Sequence, residues 1–205
     1  LASTGVGAAF TNQPANDGVE IVSDSAGDVQ VATVIGTTNG TDTVVVEPIT
    51  LTGTTPVSTS KTDWGVILAV KLASAAVGTV TFREASGNAT ITTVTAGNTQ
   101  KGVVEYSGAD GAGGLVRFVA SGATTKQIGL QGTNAAGTTI YDSQALSGTT
   151  AVYSNSAFAS VTEIYLGNLE NSVSVTPTIG AATVPAADQT DGFGSFYVPS
   201  AIEVN

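Results

Sequence analysis

Leu51-Thr52-Gly53-Thr54-Thr55-Pro56-Val57 returns in the same chain as Leu146-Ser147-Gly148-Thr149-Thr150-Ala151-Val152. A Gly-Thr turn precedes each copy, Gly36-Thr37-Thr38-Asn39-Gly40-Thr41 in the first and Gly132-Thr133-Asn134-Ala135-Ala136-Gly137-Thr138 in the second. An aromatic-led run follows each copy, Trp64 to Leu72 and Phe158 to Leu166. The copies lie roughly 95 residues apart, the length of a small β domain rather than of a solenoid repeat. Gly53 and Gly148 are the expected turn residues, since glycine enters left-handed backbone without a Cβ penalty.

Working outward, Val29 to Gly36 alternates as a strand and stops at Asn39-Gly40, a hairpin signal for a tight turn with positive φ at both central residues. Thr43 to Leu51 is the return strand, and Pro48, which has no N–H to donate, marks it as an edge or a bulge. Trp64, the single tryptophan, and Phe158 hold matching places. Their duplication favours two core anchors over a ligand platform. Gly78 to Glu84 and Ala89 to Val94 form a second hairpin around Ser86-Gly87-Asn88, and the second copy lacks a counterpart of the 83–94 hairpin. Val103–Tyr106 and Leu115–Ala120 read as strands separated by a Gly-rich surface loop at 108–114. That loop lacks the Lys-Ser/Thr ending and the following helix that a phosphate cradle needs. No stretch carries apolar residues at helical spacing over three turns.

The expected fold is therefore all-β: two tandem small antiparallel β-sandwich domains with an extended N-terminal arm. The arm spans 1–27, the first domain 28–122 and the second 123–205, ending in an aromatic tail with Phe193, Phe196 and Tyr197. Thr, Val and Gly dominate, as pleated surfaces and tight turns require.

Charge and composition narrow the function. With 16 acidic against 6 basic residues and a net charge of −10, the chain lacks the basic surface that phosphates need, so no nucleic acid is expected as a partner. No apolar run approaches a membrane span, so no membrane partner is expected either. Cys and His are absent, which removes disulfides, thiolate sites, the commonest metal ligand and any Ser-His-Asp triad. Asp24/Asp28 and Asp188/Asp191 are the closest carboxylate groupings, and neither has the alternation of a calcium loop. The expectation is a protein without catalytic, cofactor-binding or metal-binding residues, not an enzyme. Strand edges and low charge instead invite pairing with other chains.

Several of these stretches form a pattern in their order: Gly36 to Gly40, Leu51 to Val57, Gly78-Thr79-Val80-Thr81-Phe82-Arg83-Glu84-Ala85-Ser86-Gly87-Asn88-Ala89-Thr90-Ile91, and Ala96 to Gly102. In this order they resemble the β-sandwich (Ig-like) modules of tailed-bacteriophage virion structural proteins, well over residues 29–105 and more loosely over 127–176. The resemblance implies a virion protein on the particle exterior. Its partners would be the major capsid protein or other virion proteins and further copies of itself. A capsid decoration or cement protein, held to the head through β-rich surfaces and its terminal arm, is the expected role. The alternatives are a tail, baseplate or fibre-associated component, or a prokaryotic surface-layer, adhesin or glycan-binding module.

Overall fold

The computed structural model describes residues 10–169 and 175–179. These residues form thirteen strands and no helix. In chain order the strands are β1 (Val19–Ser23), β2 (Val31–Thr38), β3 (Val44–Thr50), β4 (Val57–Ser58), β5 (Trp64–Leu72), β6 (Val80–Glu84), β7 (Thr90–Val94), β8 (Gln100–Lys101), β9 (Val103–Ala120), β10 (Gln127–Thr133), β11 (Thr139–Ala145), β12 (Val152–Tyr165) and β13 (Val175–Ile179). They assemble into three antiparallel sheets, ordered β4-β1-β6-β7, β3-β2-β5-β8 and β11-β10-β12-β9-β13.

The first two sheets enclose one core. Val19, Ile21, Phe82 and Ile91 enter it from one sheet, and Ala32, Val34, Trp64, Ile67 and Val70 from the other. Period-2 alternation explains the sorting: in β1 Val19 and Ile21 are fully buried while Glu20 between them is half-buried. The third sheet gathers a second core around Phe118, Ile128, Leu130, Phe158, Ile164 and Val175.

The repeated phrase is also a repeat in space. Leu51 N–H donates to Gln30 O and Leu146 N–H to Lys126 O, both at 3.0 Å. Gly53 N–H reaches Asp28 O at 2.9 Å and Gly148 N–H reaches Thr124 O at 2.8 Å. Isolated bridges close the two turns, Thr52 with Thr55 and Ser147 with Thr150. β2 pairs with β3 and β5 just as β10 pairs with β11 and β12, and each inner strand slips register at a glycine, Gly36 or Gly132. A Cβ on Gly36 would stand 2.3 Å from Val66 O and 3.1 Å from Trp64 Cε3. On Gly132 it would stand 2.0 Å from Ser160 O and 2.7 Å from Phe158 Cδ1. Each glycine makes room for its repeat's aromatic anchor.

Both turn glycines are left-handed, at φ +69 for Gly53 and +56 for Gly148, but their surroundings differ. A Gly53 Cβ would lie 2.8 Å from Ala26 Cα, whereas a Gly148 Cβ would lie 3.6 Å from Ala123 Cα. Gly53→Val should therefore cost about 3 kcal/mol and Gly148→Val about 1 to 2 kcal/mol in chemical denaturation. Equal losses would contradict this account of the turns.

Three expectations change. Within the stretch 1–27 assigned to an arm, residues 19–23 are an inner strand with β4 on one side and β6 on the other, registered as Ile21 with Val57 and with Phe82. Residues 10–27 thus belong to the first half of the fold, because β1 supplies core side chains and fills both its ladders; residues 1–9 lie outside the described residues. The loop assigned to 108–114 is part of β9, a single strand of 18 residues paired with β12 through Gly108–Val161 and Gly114–Phe158. The register of this pair shifts between Tyr153 and Ala157, between Phe158 and Ser160, and between Val161 and Glu163. Finally, the Asn39-Gly40 hairpin forms, but across the five residues 39–43 and with positive φ at Gly40 alone. The stretch after Thr176, where the second copy is expected to lack a counterpart of the 83–94 hairpin, and the aromatic tail fall largely beyond Ile179, outside the described residues.

Pro48 does sit on an edge strand. Leu51 donates inward to Gln30, so by alternation the N of Pro48 faces away from β2, where no ladder needs it.

The β3-β2-β5-β8 sheet is covered on both faces. Ile35, Leu68 and Ala69 on its second face pack with Val103 and Tyr165. This explains why Ile67-Leu68-Ala69-Val70 is continuously apolar and continuously buried rather than alternating. Gly167 N–H donates to Leu68 O at 2.7 Å, and Lys71 Nζ meets Glu163 Oε1 at 2.6 Å across the same junction.

Candidate functional site

Asp24 and Asp28 serve the fold. The fully buried Asp28 carboxylate accepts Ser23 Oγ at 2.6 Å, Gln30 Nε2 at 3.0 Å, Val77 N–H at 2.8 Å and Gly78 N–H at 3.0 Å. Asp24 Oδ1 accepts Thr79 N–H at 2.7 Å. Together they tie the turn before β2 to the turn before β6. Asp188 and Asp191 lie outside the described residues.

Burial alone would raise the Asp28 carboxyl, but the four donors outweigh it and hold the group down at about 2. Asp17 is likewise lowered, chiefly by the Ser86 hydroxyl and then by Ser86 N–H. A folded-state value below the ordinary carboxylate one adds stability above about pH 4, and that stability is lost as pH falls toward 2. The melting temperature should drop across this window. Asp28→Ala should cost about 3 kcal/mol at neutral pH, since it orphans buried donors, and should flatten the acid limb. An unchanged limb would contradict the role given to Asp28.

Trp64 and Phe158 are both fully buried, each in its own core. Trp64 Nε1 donates to Thr59 Oγ1 at 3.2 Å, and the same hydroxyl accepts Val19 N–H at 3.0 Å. The anchor thereby joins β1, the chain after β4, and β5. In the repeated phrase Thr52 Oγ1 donates to Thr55 O at 2.8 Å, a local turn bond.

One pair of residues escapes a reading of the sequence by motif. Glu47 Oε1 accepts the N–H and Oγ of Ser60 at 2.5 and 2.6 Å, and Asp142 Oδ2 accepts Ser156 N–H at 2.7 Å. Each carboxylate ties its edge strand to the chain approaching the aromatic anchor. Both stand four residues before the repeated leucine, Leu51 or Leu146, so aligning the two copies upstream of the phrase would have found them.

At the junction lies an open cleft of about 380 Å³, lined by Asn39, Thr41, Asp42, Lys126, Gln127 and Asn168 among others. Its wall is a hydrogen-bonded network. Gln127 Nε2 donates to Asp42 Oδ1 at 2.6 Å, Thr37 Oγ1 to Gln127 Oε1 at 3.1 Å, and Ser143 Oγ to Asp42 O at 2.6 Å. Asp42 and Lys126 are the ionisable residues lining it, and Asp42 is already engaged. Nearby, the Tyr165 hydroxyl lies 2.7 Å from Gln131 Oε1 and 2.9 Å from Glu163 Oε2; burial first, and then Glu163, push it above the ordinary phenol range. These groups join the two halves.

Among the described residues no group of three or more Asp or Glu carboxylates converges as a metal site, and no helix is long and apolar enough to cross a membrane. Comparison of the chain with protein-family models, curated proteins and solved structures finds no match.

Proposed function

We propose that the chain is a non-enzymatic structural protein of a tailed-phage virion, made of two tandem β-sandwich modules, and that it decorates or cements the head on the particle exterior. The observation that carries this reading is the nature of what is repeated. Gly36/Gly132, Glu47/Asp142, Leu51/Leu146 and Trp64/Phe158 recur in matching places, and all are scaffold contacts. A duplicated scaffold joined through an apolar and ion-paired seam suits a block that presents surface, and it agrees with the resemblance of residues 29–105 to virion modules.

Residues 10–27 belong to the first module, so contact with the head is assigned to outer surface rather than to that segment. Val29 and Val77, 62% and 63% exposed, flank the Asp28 turn and are the most exposed large apolar residues described. Val29→Asp with Val77→Asp should leave the circular dichroism spectrum and melting temperature unchanged while reducing occupancy on particles at least tenfold. Copy number relative to the major capsid protein, measured by quantitative mass spectrometry of purified particles, tests the location. Hundreds of copies support decoration; a few dozen or fewer would move the chain to the tail.

A further inference from the structure

Residues 10–17 occupy the same place in the first half as the middle of β9, residues 108–114, in the second. Asp17 bridges Trp64 as Gly114 pairs with Phe158, and Gln13 stands against Ile67 as Gly108 pairs with Val161. In the second half this edge of the aromatic strand is filled by continuous chain. In the first it is filled by a strap: Gln13 Oε1 accepts Ile67 N–H at 2.6 Å and Gln13 Nε2 donates to Ile67 O at 3.2 Å, a side-chain amide standing in for a strand's peptide group. The strap continues with Thr11 N–H on Ile91 O at 2.9 Å and Asn12 Nδ2 on Glu84 Oε1 at 2.7 Å. At Phe10, the first described residue, the side chain is buried in the first core and the N–H donates to Gly167 O at 2.8 Å.

The strap is joined to the body by a strained hinge. Ala15 (φ 46) and Asn16 (φ 80) are consecutive, exposed, non-glycine residues in left-handed backbone. Such a conformation disfavours L-residues, and a short hinge under strain is the condition that favours exchange of an element between copies. Extending the hinge relieves both residues at once. Every contact of the strap with β5, β7 and Gly167 can be made equally by the same segment of another copy, because it is the same surface.

We propose that residues 10–14 exchange between two copies of this chain, each strap closing the β5–β7 seam of the other. The inference needs only two copies of the chain and stands apart from the virion reading.

The chain has no cysteine, so introduced thiols are unique. Asn12→Cys in one tagged copy and Glu84→Cys in a second, mixed through a cycle of unfolding and refolding at high concentration, should give a covalent heterodimer with a short thiol-bridging reagent. Thr41→Cys in place of Glu84→Cys, on the exposed turn after β2, is the background control. Exchange predicts a heterodimer yield at least fivefold above that control; a yield equal to it overturns the proposal. The hinge supplies a second arm. Ala15→Gly with Asn16→Gly removes the strain of the closed form and should lower the yield severalfold. Ala15→Pro cannot hold φ 46 and should raise the dimer fraction in size-exclusion chromatography. A yield unaffected by the glycine pair counts against the proposal even if the proline variant fails to fold.

Discussion

Trp64→Ala should lower stability by about 4 kcal/mol and the melting temperature by about 10 °C. Trp64 is fully buried between the two sheets of the first half, so its removal leaves a cavity that Ile67, Phe82 and Val19 cannot fill without moving their strands. It also takes away the indole N–H bonded to Thr59 Oγ1, loosening the hydroxyl that serves Val19. Phe158→Ala should produce a comparable loss in the second half, where Phe158 is equally buried. Circular dichroism melts of the two variants and of the double variant measure the effect. A loss below about 1 kcal/mol for Trp64→Ala would be too small for a buried core anchor.

Gly132→Val should be at least as damaging, about 4 kcal/mol or more, because the new Cβ meets backbone rather than a movable side chain. Ser160 O would lie 2.0 Å away and Phe158 Cδ1 2.7 Å away. Gly137 offers the contrast: it lies in the turn that follows Gly132, at φ +78, but a Cβ there meets nothing within 4 Å. Gly137→Ala should therefore cost only about 1 kcal/mol, the strain of left-handed backbone. Trp64 is the sole tryptophan, so its emission follows the first half alone while circular dichroism follows the whole chain. In Gly132→Val much of the strand signal should be lost at a temperature where Trp64 emission is still that of a buried indole. A wild-type melt for Gly132→Val would sever the link between this glycine and the aromatic anchor.

What was legible in the sequence was local. The Leu-x-Gly-Thr-Thr phrase marks real turns, Pro48 marks a real edge, and Trp64 and Phe158 occupy equivalent cores, because each depends on residues close in sequence or on a comparison of the two copies. Val19–Ser23 was obscured by the Gly, Asn, Pro and Asp around it: a five-residue strand gains its stability from β4 and β6, which lie about 40 and 60 residues downstream. Gly108 to Gly114 has the composition of a loop and pairs because β12 supplies the partner. The junction was hidden for a further reason. Leu68 and Lys71 look like strand residues of one domain, and only the fold sets them against Tyr165 and Glu163. The carboxylates Glu47 and Asp142 bear no motif, and they emerge as a pair only when the two copies are aligned upstream of the repeated leucine.

A cryo-electron microscopy map of the particle proposed to carry this chain tests the functional reading most directly. The account predicts density for two joined β modules at every equivalent position over the head, seated on the major capsid protein with the Val29 and Val77 end in the contact. Density for the chain confined to the tail, or none on the particle at all, would contradict it.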